Sequence, residues 1–192
     1  KQLNWDHEPF VVPAHVRQAL EVSQQRKRAD AAHWYSEFEA WSQRHPELRR
    51  AFDASQDNTV PEGLTQALLD AVPAAGATRK LSATAISEAS KHMPSLVGGS
   101  ADLTGSNGAL IKAAGAVGHP DYEGQSFSFA GRQLYFGIRE HAMGAITNGM
   151  LLHGGFRPFG ATFLVFSDYC RPTIRMAALC GLPNIFVFTH DS

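Results

Sequence analysis

One carboxylate stands out by its surroundings. Glu140 separates an apolar, strand-like run, Leu134-Tyr135-Phe136, from a helix-like run whose face predicted to be buried includes Met143, Ile146 and Met150. A carboxyl group at such a junction can point into a pocket and share a proton with a ligand heteroatom. The position equally suits a plain helix-start carboxylate, held there by the helix dipole. Phe163, Phe166 and Tyr169 recur at every third residue. Such a triplet serves either as core or as a wall for a planar ligand. Strand alternation puts Phe163 and Phe166 on opposite faces, so Phe166, nearer the carboxyl end, is the ring expected to face a ligand. Ser106 lies in Gly105-Ser106-Asn107-Gly108, a turn predicted to open a short helix through Ala109, Leu110 and Ile111. Its amides can bind an anion, or its hydroxyl can serve as an ordinary cap. Arg79 stands at a helix start, where solvation alone explains many arginines. His190 ends a strand as a structural or a ligating imidazole. The remaining histidines (His7, His15, His33, His45, His92, His119, His141 and His153) show no metal-ligand spacing, so no metal is assigned to this chain.

These groups need a scaffold, and the apolar pattern supplies one. Leu81, Ala85, Ala89 and Met93 form a helical stripe stopped by Pro94. A strand at Leu96-Val97-Gly98 is predicted to run into a glycine turn at Gly98-Gly99. Residues 105–131, rich in Gly and Ser, read as a long loop. Further elements are predicted as a strand over Leu134–Phe136, a helix over Ala142–Leu152, a strand over Ala161–Phe166, a helix over Pro172–Leu179 and a strand over Ile185–Phe188. Strands apolar on both faces, alternating with helices, imply an α/β fold with a parallel sheet. Ligands of such sheets sit beyond the carboxyl ends of the strands. Asp102, Glu140, Phe166 and His190 all follow strands and so fall on one edge.

The first part of the chain differs. Residues 1–50 carry fifteen charges and residues 124–192 only eight. Val16 and Leu20, then Trp34, Phe38 and Trp41, follow helical spacing, and Pro46 is expected to end that helix. Residues 53–60 read as a polar linker, and Pro61 as the opening of a short helix reaching Leu69. The basic run Arg26-Lys27-Arg28 reads as a wet helix face. With 17 Lys+Arg against 18 Asp+Glu, the net charge of −1 gives no footprint for nucleic acid or a membrane surface. No apolar run approaches the roughly 18–20 residues of a membrane span. Cys170 and Cys180 lack metal spacing and are predicted to be buried, reduced thiols. The opening residues, Lys1 to Asp6, carry no apolar signal run, and a cytoplasmic location is expected.

The run Gly137-Ile138-Arg139-Glu140-His141-Ala142-Met143-Gly144 closely resembles transketolase, a thiamine diphosphate enzyme family. Four further motifs fit in the family's order: Thr78-Arg79-Lys80-Leu81-Ser82, Gly98-Gly99-Ser100-Ala101-Asp102-Leu103-Thr104, Thr162-Phe163-Leu164-Val165-Phe166 and Thr189-His190-Asp191-Ser192. Leu3-Asn4-Trp5 with Pro9, Phe10 and Pro13 looks like the segment joining the family's first two domains. The resemblance spans nearly the whole chain. It implies transfer of a two-carbon ketol unit from a ketose phosphate to an aldose phosphate, with the cofactor reacting as a thiazolium ylid.

By that resemblance, Glu140 is the catalytic carboxyl that hydrogen-bonds the aminopyrimidine nitrogen and favours its imino form. A glutamine could hold the ring but not share the proton. Phe166 resembles the residue stacking on the pyrimidine, with Phe163 and Tyr169 completing the wall, and Asp102 resembles a cofactor-side aspartate at a subunit interface. Arg79, Ser106 and His190 match the family's sugar phosphate ligands, and a guanidinium, a hydroxyl and an imidazole suit a phosphate. Gly105 stands where relatives often have proline, which loosens the turn presenting Ser106. The resemblance implies a helical connector over 1–75 and a pyrimidine-binding α/β domain over 76–192, incomplete at its C-terminus. The diphosphate and its Mg2+ or Ca2+ are expected in a preceding domain outside this chain. A homodimer with the site between subunits, and the remaining segments of the same enzyme, are the expected partners. Two alternatives stay open: a non-catalytic thiamine diphosphate-binding module, and a dihydroxyacetone synthase-type transferase. Deoxyxylulose-phosphate synthase fits the Arg-Glu-His-Ala-Met-Gly run less well.

Overall fold

The computed structural model describes residues 5–112, 114–121 and 127–191. Leu3 and Asn4 of the joining segment, Ser192 of the last motif and parts of the 105–131 loop lie outside the described residues. The chain divides into two compact units, Lys1–Arg50 and Ala51–Ser192.

The first unit is built on α1 (Ala14–Arg44). Trp34 and Phe38, one turn apart, stack at 5.0 Å, and Phe38 stacks in turn on Trp41 at 5.6 Å. The Arg49 guanidinium lies 4.8 Å from the Phe38 ring centroid, a cation–π contact. Pro46 does more than close α1. It is the first residue of α2 (Pro46–Gln56), where its missing N–H costs nothing. That helix runs into the stretch expected to be a linker. Asp57 N–H donates to the Asp53 carbonyl at 2.9 Å, and the Ser55 hydroxyl donates to the Phe52 carbonyl at 2.7 Å, so the helix takes in Asp53 to Gln56 and leaves 57–60 beyond its end. The second unit takes in the end of α2 and the short helix expected after Pro61, α3 (Leu64–Ala71), entered through a turn at Pro61–Gly63.

In the second unit, α4 (Thr78–His92) carries Arg79 in its first turn. Four parallel strands follow: β1 (Leu96–Ser100), β2 (Gln133–Tyr135), β3 (Arg157–Phe163) and β4 (Ile185–Thr189), in the order β2-β1-β3-β4. Helix α6 (Glu140–His153) links β2 to β3, and α7 (Ser167–Leu179) links β3 to β4. A one-turn helix, α5 (Thr104–Asn107), follows β1. The core on one side holds Leu96, Ile111, Phe159 and Met93; on the other it holds Phe136, Met143 and Cys170. The parallel α/β architecture is as expected.

Several boundaries differ, each for a physical reason. Gly98 and Gly99 lie within β1, not in a turn. A Cβ at Gly98 would collide with the Phe159 carbonyl on β3, and one at Gly99 with the Leu134 carbonyl on β2, so glycine permits close approach of three strands. The strand expected over Ala161–Phe166 begins earlier, at Arg157, and ends at Phe163. Leu164–Phe166 is a single 3-10 turn that leads directly into α7. Pro172 therefore sits inside α7, where the acceptor it leaves unpaired is the carbonyl of Asp168 in the exposed first turn. The helix expected through Ala109–Ile111 does not form; α5 stops at Asn107 with Gly108 left-handed. Instead the Gln133 amide pins that segment, accepting from Ile111 N–H at 2.9 Å and donating to the Ala109 carbonyl at 3.2 Å.

Candidate active site

Glu140 is the first residue of α6 and only 6% exposed. Arg139 fixes the turn before it by donating from Nε to the Phe136 carbonyl at 2.8 Å. The Thr162 hydroxyl donates to Glu140 Oε1 at 3.2 Å, and the Cys170 thiol donates to the Glu140 backbone carbonyl at 3.7 Å. The Thr162 bond to Oε1 is the one side-chain hydrogen bond of the Glu140 carboxyl among the described residues, and Oε2 has none. One carboxyl oxygen is thus held and the other is available to a ligand.

Thr162 adjoins Phe163 at the end of β3. The 3-10 turn overturns the expectation that Phe163 and Phe166 face opposite ways. Their rings stack, centroids 6.0 Å apart and planes 18° apart, and Tyr169 continues the row 6.1 Å beyond Phe166. Turning the chain after Phe163 replaces strand alternation with a helical rotation, so rings three apart share a side. Asp191 secures this turn by accepting from Val165 N–H at 2.6 Å.

His190 joins the aromatic row to a second region. Its ring meets Phe163 edge-on at 5.2 Å, and its buried Nδ1 has no partner among the described residues. It also lines a cleft of about 440 Å³ with Arg79, Lys80, Gly105 and Ser106. Arg79, Ser106 and His190, far apart in sequence, therefore meet in one place. Lys80 adds a second cation that the residue-by-residue reading did not single out. Its signal was the adjacent pair Arg79-Lys80 at a helix start.

Gly108 sets the spacing of this cleft. Its φ is +70°, and an added Cβ would lie 2.7 Å from the Ala83 Cβ on α4. Gly108→Ala is expected to destabilise the fold by about 1–3 kcal/mol, combining left-handed strain with overpacking. Urea unfolding measures this directly; an unchanged midpoint would show that the turn relaxes freely. Gly105, by contrast, faces open space, so its turn gains no packing from that residue.

Ser100 was missed by sequence reading and organises the turn after β1. Its hydroxyl donates to the Ala161 carbonyl at 3.0 Å and accepts from Leu103 N–H at 3.1 Å and Asn107 Nδ2 at 3.0 Å. Asp102 sits in that turn with φ +62°, a left-handed conformation that Asp tolerates better than most residues. It is exposed and makes no hydrogen bond or ion pair among the described residues. The structure thus does not link Asp102 directly to Glu140 or the aromatic row.

The two cysteines differ, contrary to the expectation that both are buried. Cys180 ends α7 exposed, whereas Cys170 is fully buried beneath Glu140. Burial, with a smaller contribution from the Glu140 carboxylate, pushes the Cys170 thiol from 9.0 up to about 11. At neutral pH it then carries about 100-fold less thiolate than an ordinary cysteine. Thiol reagents at pH 8 should leave Cys170 unmodified until the protein unfolds, as peptide mapping can check. The unfolded chain loses this proton at lower pH than the folded one, so the Cys170 contribution to stability is intact below about pH 9 and is lost as pH rises toward about 11.

Among the described residues no group of three or more His, Cys, Asp or Glu side chains is placed to hold a metal ion, and no helix is long and apolar enough to cross a membrane.

Residues 74–192 match the family described as transketolase, pyrimidine binding domain, and residues 1–61 match transketolase, thiamine diphosphate binding domain. The transketolase of Geobacillus stearothermophilus is 45% identical over 192 residues, covering 96% of this chain and 27% of that protein. That of Cereibacter sphaeroides is 41% identical over 197 residues, covering 100% of this chain and 28% of the relative. Among solved structures, the Pichia stipitis transketolase complex with sedoheptulose-7-phosphate superimposes with a TM-score of 0.83 at 36% identity, over 96% of this chain and 28% of that one. Leishmania mexicana transketolase gives 0.83 at 32% identity, over 97% and 27%. The chain spans between a quarter and a third of the length of these relatives, and it belongs to the transketolase family.

Proposed function

We propose that this chain supplies the pyrimidine-ring half of a thiamine diphosphate site in an enzyme that reversibly transfers a two-carbon ketol unit from a ketose phosphate to an aldose phosphate. The observation that carries this reading is Glu140: a buried carboxyl with Oε1 held by Thr162 and Oε2 unpartnered, beside a strand end that turns into an aromatic row. The residues fit the group. A free carboxyl oxygen suits a ring nitrogen, stacked phenyl rings suit a flat heterocycle, and the orphaned Nδ1 of His190 suits a polar substrate atom.

Thiamine diphosphate held by these residues would supply carbanion-stabilising chemistry for two-carbon transfer. Glu140 holds the pyrimidine nitrogen and shares its proton. Phe166, with Phe163 and Tyr169, keeps water from the ring and fixes its plane. Arg79, Ser106 and His190 hold the sugar phosphate, with Lys80 strengthening the positive field of the cleft. Asp102 lies toward the subunit interface. Mg2+ or Ca2+ and the diphosphate belong to the preceding domain.

The proposed division is a helical connector over residues 1–75 and a pyrimidine-binding domain over 76–192; the pyrimidine binding domain match begins at residue 74, whereas residues 1–61 match a thiamine diphosphate binding domain. The enzyme works as a cytoplasmic homodimer in the pentose phosphate pathway. Its relatives' names favour this reading over a dihydroxyacetone synthase or a non-catalytic module. The test is ketol transfer from xylulose 5-phosphate to an aldose phosphate by the complete enzyme with thiamine diphosphate and Mg2+. Turnover is expected; cofactor binding without transfer would support the non-catalytic module.

A further inference from the structure

The geometry points to Thr162 as a positioning residue that holds Glu140 Oε1 and so leaves Oε2 as the oxygen that meets the cofactor; this rests on the proposed role of Glu140. Thr162 is 0% exposed, and its hydroxyl has a single partner among the described residues, Glu140 Oε1 at 3.2 Å. A fully buried hydroxyl with one available acceptor is committed to it. Its β-branched side chain is stiff at χ1, and β3 pairs it with Phe188 of β4, so the hydroxyl is presented from a fixed strand. Cys170 steadies the other end of the same residue through the Glu140 backbone carbonyl.

The division of labour follows from donor and acceptor chemistry. An oxygen that accepts from Thr162 is the less basic of the pair and is held in direction by that bond, which leaves Oε2 as the more basic oxygen and the one open to a ligand nitrogen. Proton sharing is therefore favoured at Oε2. Without the hydroxyl, the carboxyl can rotate, and either oxygen can take the proton in an unproductive orientation. The separation at 3.2 Å is at the long end for a hydroxyl donor, as hydrogen bonds of unliganded sites often are before the ligand tightens them.

The test compares Thr162→Val, Thr162→Ser and Glu140→Gln in the complete enzyme. Thr162→Val should lower kcat and weaken thiamine diphosphate binding, followed by intrinsic fluorescence, each by about 10-fold, the scale expected for coupled neighbours. KM for the sugar phosphate should stay within about twofold of wild type, because the Arg79 cleft is untouched. Thr162→Ser, which restores the hydroxyl, should recover both losses. Adding Thr162→Val to Glu140→Gln should cost little further, because the two act as one unit. Where Thr162→Val does not fold, Thr162→Ala takes its place. Equal losses in the Val and Ser variants, or wild-type cofactor affinity in Thr162→Val, overturn the assignment. Wild-type turnover in Glu140→Gln would instead remove the reading on which it rests.

Discussion

Glu140→Gln in the complete enzyme is expected to fold normally and to lose roughly 10²–10⁴-fold in turnover, the scale of a positioned acid–base group. The amide fills nearly the same space, so the packing around α6 should be kept. Its oxygen can still accept from the Thr162 hydroxyl, as Oε1 does now. What the amide lacks is an exchangeable acidic proton at the second position. Cofactor binding should therefore weaken far less than turnover falls. This split distinguishes proton sharing from simple ring holding. Steady-state kinetics beside a cofactor titration measure it, and wild-type turnover would remove the proposed role.

The second large effect concerns the cleft. Arg79→Ala should raise KM for phosphorylated sugars by about 10- to 100-fold, the loss expected when a charge-assisted hydrogen bond worth about 1.5–3 kcal/mol is removed. Unphosphorylated sugars should be affected little. Lys80 lines the same cleft and retains part of the positive charge, which keeps the loss from being larger. Lys80→Ala alone should have a smaller effect, since a flexible ammonium gives charge without the bidentate fork of a guanidinium. Equal changes for both substrate classes would argue that Arg79 does not touch the phosphate.

Much of this arrangement was legible in the sequence, and the limits have physical causes. The parallel sheet followed from strands apolar on both faces, and Glu140 was identifiable because it separates an apolar strand from an apolar helix. Convergence of Arg79, Ser106 and His190 came from a resemblance, because long-range proximity leaves no local periodicity. Strand alternation gives the aromatic row the wrong geometry. Period-two alternation holds only while a strand continues, and β3 stops at Phe163. Nothing local distinguishes Leu164-Val165-Phe166 from more strand, since all three are apolar; the turn is secured from outside by Asp191. Gly98 and Gly99 misled in the opposite way. Glycine pairs usually mark turns, yet here they allow three strands to approach. The roles of Ser100, Gln133 and Thr162 carry no local signal for a third reason: each acts through hydrogen bonds to residues distant in sequence, and a lone Ser, Gln or Thr carries no pattern. The two thiols looked alike, but only one faces the core, since α7 begins at Ser167 and places Cys180 just past its end.

The central claim is that Glu140 shares a proton with the bound pyrimidine. Its most direct test needs no sugar: exchange of the thiazolium C2 hydrogen for deuterium in thiamine diphosphate bound to the complete enzyme, compared with Glu140→Gln. Wild-type protein should exchange this hydrogen far faster than free cofactor, and Glu140→Gln should fall to near the free rate. Exchange in Glu140→Gln as fast as in wild type, with the cofactor demonstrably bound, would contradict the account.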